Sequence, residues 1–456
     1  MFFETVQTEG LAHLSYVVGR GSCAAVIDPR RDVDIYLELA RAHGARIIHI
    51  FETHRNEDYV IGSTELAKKT GASIYHGHAF DFGYGEPVRH GDVFELDSLQ
   101  LEVLETPGHT DESISIVLRD TDAGSSPLMV FTGDALFVGD VGRTDFYPDR
   151  PEEVADALYQ SIHEVLLPLG DQVILCPAHG AGSVCGSGMA DRNFSTLGYE
   201  RAHNPKLQLS RDELVRQKVQ EHHPKPPYFE KMEAVNAAGP ETGREIPLPI
   251  PLDADAFAAA MEVGAWVVDV RSPEALSGAL VPGSLGIPVG MLATYAGYFL
   301  PYDRDLLLVA ETAEDRERAV RSLYRLGYDR VTGYLAKGLH AWSTSGRPYH
   351  TIPAVSVHEL IERRERKEQG MLLDVRSAEE FESGHWPGST NVPMADLLER
   401  LEDVPVGTPI TTFCGSGQRA VVAATILLRH GHDEVGVCLG SMAACKAAGC
   451  PIESDR

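Results

Sequence analysis

From Leu14 to His179 short β-rich runs, among them SYVV, AAVIDP and RIIHIFETH, alternate with amphipathic stretches such as the one around Val33 to Ala42. Branched and aromatic residues in period two read as strands, and apolar residues recurring at i, i+3 and i+4 read as helices. The pattern predicts a mixed α/β domain over residues 1–203. Residues 204–251 have weaker periodicity and many prolines, including HHPKPP and IPLPIP, which predicts an extended linker with some helix.

Beyond the linker the pattern repeats. AWVVDVRSPEALSGALVPGSLGIPVG (265–290) aligns with MLLDVRSAEEFESGHWPGSTNVPMAD (371–396), and both copies place the Asp of Asp-Val-Arg thirteen residues before the Pro of Pro-Gly-Ser. The copies match again at GYDRV (327–331) and GHDEV (431–435). Each copy alternates continuous apolar runs (VVDV and LLLVA; LLDV and TTFC) with helical stretches, the signature of a small doubly wound parallel sheet. Two tandem α/β domains are expected, at 252–350 and 351–456.

A chain of 456 residues exceeds what one hydrophobic core supports, so several domains agree with the pattern. The net charge of −27 disfavours nucleic acid and anionic membrane surfaces as partners. The seven cysteines are odd in number, scattered and free of any CxxC pair, which predicts free thiols in a reducing compartment. Neither a leader with an apolar core nor a membrane-spanning run is present, so a cytoplasmic protein is expected.

Four polar residues stand where apolar runs end in Gly-containing or loop segments: His54 in RIIHIFETHRNEDYVIG, His109 in LEVLETPGHT, Asp134 in LMVFTGDALF and His179 in VILCPAHG. Imidazoles and carboxylates gathered at strand ends make a metal site. Over Leu11 to about Asn193 these motifs resemble the metallo-β-lactamase superfamily, whose signature loop reads HxHxDH and whose fold is an αββα sandwich. The resemblance implies a first metal on the two early loop histidines and the GH histidine, a second on the loop Asp, the last loop histidine and the late His, and a bridging GD carboxylate. This chain departs from it with Asn56 and Tyr59 in place of two histidines. The first site then keeps His54, His109 and Asp134, and the second keeps only Asp58 and His179 beside the shared Asp134, so one metal is expected. Two histidines and one carboxylate form the facial triad of non-haem Fe(II) oxygenases. The domain looks most like the persulfide dioxygenases, also in DVGRTDF (140–146), which implies one Fe(II) per chain, with Zn as an alternative in purified protein. Asp58 and His179 are expected either to orient ligands or substrate or to be remnants of a lost second site, and Arg143 to contact the anionic part of a thiol substrate. The histidines of HGH (76–78) and His222-His223 are expected in loops or facing solvent.

TTFCGSGQRAVVAATILL reads as a strand, a Gly-rich turn and a helix, with Cys414 opening the turn. Backbone N–H groups of Gly415, Ser416, Gly417 and Gln418, the helix N-terminus and Arg419 would stabilise a thiolate or persulfide at Cys414. The four residues between Cys414 and Arg419 make a smaller cradle than that of the cysteine phosphatases, suited to a sulfur-sized anion. With LLDVR (372–376) and HWPGSTNVP (385–393) the stretch from Ser356 onward resembles an active rhodanese, in which Asp374 and Arg376 support the fold. In the first copy Val309 or Ala310 stands at the nucleophile's place and the acidic ETAEDRER follows, so residues 253–349 resemble a rhodanese without its nucleophile. Two readings of Cys185 in GAGSVCGSG stay open, a sulfur carrier near the metal cleft or a residue of a flexible turn.

Together these resemblances imply a homo-oligomeric enzyme that oxidises a low-molecular-weight thiol persulfide with O₂ to sulfite and exchanges sulfane sulfur between persulfide and thiosulfate through Cys414. Two rivals remain: a glyoxalase-II-like zinc thioester hydrolase with a sulfurtransferase domain, and a non-catalytic sulfur carrier or sensor with a structural metal.

Overall fold

Period-two alternation sorts the side chains of the first domain between two layers. A computed structural model describes residues 1–183, 186, 188–221, 223, 225–368 and 370–454; Cys185 and His222 lie outside the described residues. One six-stranded sheet is built in the order β1 (Phe2–Thr8), β2 (His13–Arg20), β3 (Cys23–Ile27), β4 (Arg46–Phe51), β5 (Ser73–Gly77) and β6 (Glu86–Val88). The other contains β7 (Val93–Leu96), β8 (Leu99–Glu105), β9 (Ile114–Asp120), β10 (Pro127–Gly133), β11 (Ile174–Pro177) and β12 (Ser195–Thr196), running from β12 back to β7. Both sheets are mixed: β3 to β6 pair in parallel, as do β10 and β11, and the remaining pairs are antiparallel.

Leu14, Tyr16, Leu99, Leu101, Ile116 and Phe131 meet between the sheets, while Val17, Val26 and Ile50 point outward onto the helices Asp34–Ala42 and Ser63–Thr70. Val117, Val130 and Leu175 point outward from the second sheet onto Leu158, Ile162 and Leu214. This αββα sandwich is the architecture expected from the sequence. Strands buried between two layers leave their ends as the place where polar side chains converge.

The chain divides into two units, Met1–Glu245 with Tyr324–Gly327, and Ile246–Leu323 with Tyr328–Arg456. Most of the stretch expected as a linker, up to Glu245, therefore belongs with the first domain. A capping box between Ser210 and Glu213 starts the helix Arg211–Gln220, and a further helix spans Phe229–Ala238 with Phe229, Met232 and Asn236 buried. Pro226 and Pro227 stand between these two helices. The other end of the stretch, Ile250–Leu252, is itself a strand, β13.

In the second unit β13 joins β14 (Trp266–Asp269), β15 (Leu285–Gly286), β16 (Leu306–Val309) and β17 (Val331–Leu335) in a parallel sheet of order β13-β17-β16-β14-β15. A second parallel sheet follows, β19-β18-β20-β21, from β18 (Met371–Asp374), β19 (Thr390–Asn391), β20 (Ile410–Phe413) and β21 (Val435–Val437). Asp269 pairs with Val309 and Asp374 with Phe413, so the register makes Ala310 the counterpart of Cys414. In both copies the Asp-Val-Arg motif is an internal clamp. Arg271 reaches Asp269 at 2.6 Å and donates to the Ala279 carbonyl, and Arg376 reaches Asp374 at 2.6 Å and donates to the Gly384 carbonyl.

Candidate metal and sulfur-transfer sites

Each residue of the metal constellation sits just beyond a strand: His54 after β4, His109 after β8, Asp134 directly after β10 and His179 after β11. Gly133 permits the last turn of β10: it holds φ +54°, and a Cβ there would lie 2.6 Å from Thr53 Oγ1. Among the described residues, His54, His109 and Asp134 are the group whose donor atoms, all within 4.8 Å of one another, could hold a metal ion. All three are buried. Asp134 Oδ2 lies 3.8 Å from His54 Nε2 and 3.7 Å from His109 Nε2.

Both imidazoles are turned by their other nitrogen. The Thr53 hydroxyl and amide donate to Asp28, each at 2.8 Å, so the hydroxyl oxygen accepts the His54 Nδ1 proton at 2.9 Å. His109 Nδ1 donates to the Arg143 carbonyl at 3.0 Å. Each Nε2 is thereby the ring nitrogen turned toward Asp134, and both are buried with no hydrogen-bond partner. Two orphaned imidazole nitrogens beside buried carboxylates fit a divalent cation, because a buried polar nitrogen without a hydrogen-bond partner is otherwise costly. Burial brings His54 down to about 4, which keeps it neutral. Burial also disfavours charge on His109, but the neighbouring Glu57 and Asp134 carboxylates outweigh it and raise this group. The carboxylates call for positive charge at this spot.

The other polar residues of the constellation form an adjoining hydrogen-bond chain. His179 Nδ1 lies 2.8 Å from Asp134 Oδ1 and its Nε2 lies 3.1 Å from Asp58 Oδ2. Burial opposes the charged imidazole, yet the two carboxylates raise it well above the ordinary histidine value. Tyr59, at a departed histidine position, hydrogen-bonds His13 Nε2 at 2.8 Å. Asn56, at the other, donates from Nδ2 to the His54 carbonyl at 3.4 Å. Arg143 is also committed: it grips Asp145 through Nε at 2.6 Å and Nη2 at 2.8 Å, is only 2% exposed, and lies over the Phe146 ring at 4.8 Å. It shapes the wall beside His109, whose ring is 5.3 Å from Phe146.

Sequence reasoning missed four contributors. Glu57 is buried with its carboxylate toward both orphaned nitrogens. Thr53 and Asp28 are the shell that orients His54. Asn236, in the stretch expected as linker, donates to the carbonyls of Asn56 at 2.7 Å and Tyr59 at 2.8 Å and accepts from the Ile61 amide at 3.0 Å, so it holds the metal loop. The only sequence signal for Asn236 is its spacing from Phe229 and Met232 on one helix face. Of the HGH histidines, His76 is buried and hydrogen-bonds the Tyr84 carbonyl at 2.7 Å, contrary to the loop or solvent position expected for it.

In the second unit Cys414 follows β20, and the helix Gln418–Arg429 starts at Gly417, which holds φ +97°. The Gly417 amide donates to Cys414 Sγ at 3.1 Å, while the Cys414 amide donates to Ser441 Oγ at 3.0 Å. A Cβ on Gly417 would lie 1.9 Å from the Leu439 carbonyl oxygen, so only glycine fits this turn. Gly415 and Ser416 connect Cys414 to that turn, and Gln418 is the first residue of the helix. Arg419 Nη1 and Nη2 reach Glu380 at 2.7 and 2.8 Å in a two-pronged pair. Burial pushes the neighbouring Cys438 up to about 11 and keeps it a thiol.

Fold and site together define a metallo-β-lactamase-type metal domain joined to a sulfurtransferase-type cysteine loop. A family model described as the metallo-beta-lactamase superfamily matches residues 8–179, and one described as a rhodanese-like domain matches residues 356–448. Persulfide dioxygenase ETHE1 of Bos taurus is 31% identical over 213 residues, 44% of this chain and 74% of that protein. Hydroxyacylglutathione hydrolase GloC of Haemophilus influenzae is 28% identical, covering 40% of this chain and 87% of its own length. Among solved structures, a metallo-beta-lactamase from Staphylococcus aureus is 30% identical with a TM-score of 0.65, covering 74% of this chain and 98% of that one. The chain belongs to the metallo-beta-lactamase superfamily, in the family of the ETHE1 persulfide dioxygenases, and carries in addition a C-terminal rhodanese-like domain. No helix among the described residues is long and apolar enough to cross a membrane.

Proposed function

We propose that the protein oxidises a low-molecular-weight persulfide at an iron centre held by His54, His109 and Asp134, and moves sulfane sulfur through Cys414. The observation that carries this reading is the pair of orphaned Nε2 atoms facing one buried carboxylate, in a chain whose relatives include persulfide dioxygenases. The first reaction is RSSH + O₂ + H₂O → RSH + SO₃²⁻ + 2H⁺. Bound iron supplies the binding of sulfur and dioxygen and the electron transfer between them. The protein's part is positional. Thr53 and the Arg143 carbonyl fix the two imidazoles, Asp134 supplies the carboxylate, and His179 holds Asp134 in turn.

In the second reaction the Cys414 thiolate attacks the outer sulfur of RSSH, forming Cys414–S–S⁻ and releasing RSH. Sulfite then takes that outer sulfur, leaving thiosulfate and the Cys414 thiolate. The Gly417 amide steadies the anionic sulfur, and Arg419 draws sulfite or thiosulfate toward it. Cytoplasmic location and self-assembly of the chain belong to the same proposal. The deciding experiment loads the protein with iron under anaerobic conditions and follows oxygen uptake and sulfite against glutathione, coenzyme A and other persulfides. His109→Ala is expected to abolish uptake; uptake at the normal rate in that variant would refute the oxygenase.

The likeness to hydroxyacylglutathione hydrolase supports a second reading, zinc-dependent thioester hydrolysis. The zinc-loaded protein would then cleave S-acyl glutathione while the iron-loaded protein consumed no oxygen with any persulfide.

A further inference from the structure

Two of the free cysteines, Cys445 and Cys450, meet at one end of the helix Ser441–Ala448, whose other end braces the Cys414 loop. At its start Ser441 Oγ accepts the Cys414 amide at 3.0 Å, and the amides of Met442 and Ala443 donate to the carbonyls of Cys414 and Gly415 at 3.0 and 2.9 Å. At its end Gly449 is left-handed, φ +67°, and both its amide and that of Cys450 turn back to the Cys445 carbonyl, the second at 3.0 Å. Such a closure lays the residue after the glycine against the helical residue five before it, here thiol against thiol. Both belong to one buried cluster with Cys438, Phe413 and Trp386, Cys445 fully enclosed and Cys450 8% exposed. The chain beyond Cys450 is held too, since the amides of His385 and Glu453 donate to each other's carbonyls at 2.8 and 2.9 Å.

We propose that Cys445 and Cys450 are a dithiol site that a low-molecular-weight persulfide oxidises to a disulfide. With the Cys450 amide 3.0 Å from the Cys445 carbonyl, backbone bond lengths keep the two Cα atoms within about 7 Å. Disulfides span roughly 4.4–6.8 Å between Cα atoms, so the bridge closes with little backbone movement. Burial, and after it the Cys450 thiol, raise Cys445 well above the ordinary thiol value, so the less buried Cys450 reacts first. The Cys450 thiolate attacks the outer sulfur of RSSH, forming a Cys450 persulfide and releasing RSH. Cys445 gives up its proton and attacks the inner Cys450 sulfur, which closes the disulfide and expels the outer sulfur as sulfide. The sum is 2 Cys–SH + RSSH → Cys–S–S–Cys + RSH + H₂S, in which the sulfane sulfur takes two electrons from the two thiols. The bridge ties the C-terminal segment to the helix that carries Ser441, so the modification sits on the element supporting the nucleophile. It is independent of the metal site, and Cys414 takes no part in it.

The test incubates full-length wild type, Cys414→Ser and Cys445→Ser anaerobically with glutathione persulfide, alkylates the remaining thiols and digests with trypsin. Cleavage after Arg429 and Lys446 puts Cys445 in the peptide 430–446 and Cys450 in 447–456, so a bridge appears as two joined peptides. Cys438 shares the first peptide, and fragmentation tells it from Cys445. The expected result in wild type and in Cys414→Ser is 447–456 joined to 430–446 through Cys445, about 2 Da below the summed peptides and released by dithiothreitol. In Cys445→Ser, checked for its fold by far-UV circular dichroism, 447–456 should be recovered alone with one extra sulfur. A wild-type 447–456 peptide recovered unjoined, whether alkylated at Cys450 or carrying extra sulfur, overturns the proposal. So does a bridge that runs through Cys438, or one that disappears in Cys414→Ser.

Discussion

Asn236 is the place where the stretch outside the recognised motifs reaches the metal loop, so Asn236→Ala tests whether that helix is part of the site. The side chain is 1% exposed and makes three hydrogen bonds, to the carbonyls of Asn56 and Tyr59 and from the amide of Ile61. Truncation strands two carbonyls and one N–H in a buried loop. At about 1 kcal/mol per hydrogen bond the loss is about 3 kcal/mol, a large fraction of ordinary domain stability. For a unit of this size that corresponds to a fall in Tm of about 6–12 °C. The same loop presents His54, so a decline in metal affinity should accompany the loss of stability. Scanning calorimetry of the apo protein and chelator competition on the metal-loaded protein measure the two effects separately. Asn236→Asp sharpens the test, because a carboxylate still accepts from Ile61 but cannot donate to the two carbonyls. Wild-type Tm and wild-type metal affinity in Asn236→Ala would refute the view that this helix braces the site.

Cys414→Ser is expected to lose thiosulfate and persulfide sulfur transfer by more than about 1,000-fold while oxygen uptake at the metal domain persists, read by the two assays on one preparation. Arg376→Ala leaves Asp374 buried and unpaired and should destabilise the second unit by about 3–5 kcal/mol, seen as a lower urea midpoint. Hydrogen bonds from Arg419 hold the Glu380 carboxyl down at about 2, below its ordinary 4.5. Because the folded value is depressed, the pair's contribution is present above about pH 4.5 and disappears as pH falls toward 2. Half-exposed as it is, the pair is worth under about 1 kcal/mol, so urea midpoints of wild type and Glu380→Gln should differ slightly at pH 7, less at pH 3, and converge only as pH reaches about 2.

The sequence carried the metal triad because its members are polar residues at the ends of apolar strands, and such residues have few other reasons to be there. It carried the Cys414 loop because strand, Gly-rich turn and helix occur together. The residues that orient those groups were not legible. Thr53 and Asp28 look like ordinary polar neighbours, and only the fold shows that the Thr53 hydroxyl gives its proton to Asp28 and takes one from His54. Asn236 lies 180 residues from Asn56 along the chain, and nothing local ties the two. The linker expectation failed for a related reason. The helices Arg211–Gln220 and Phe229–Ala238 each bury only a few side chains, so their apolar stripe is too thin for periodicity to register.

The two tandem copies show which parts of a site depend on sequence and which on fold. Both keep the Asp-Arg clamp with the same reach to a carbonyl, because that pair ties the strand ending in the Asp to the end of the short helix that follows it in either copy. They differ one residue past the strand, where Ala310 stands at the position that Cys414 holds in the other copy. The following residues differ as well: Glu311 and Glu314 stand in the stretch whose counterpart contains Gly415, Gly417 and Arg419. An Ala310→Cys substitution therefore restores a thiol without restoring a cradle, since the acidic side chains oppose a thiolate and no Gly-rich turn presents amides to it. Such a variant should gain no sulfur transfer in the Cys414→Ser background. Measurable thiosulfate turnover there would mean that the parallel-sheet fold alone, and not the loop, activates the sulfur.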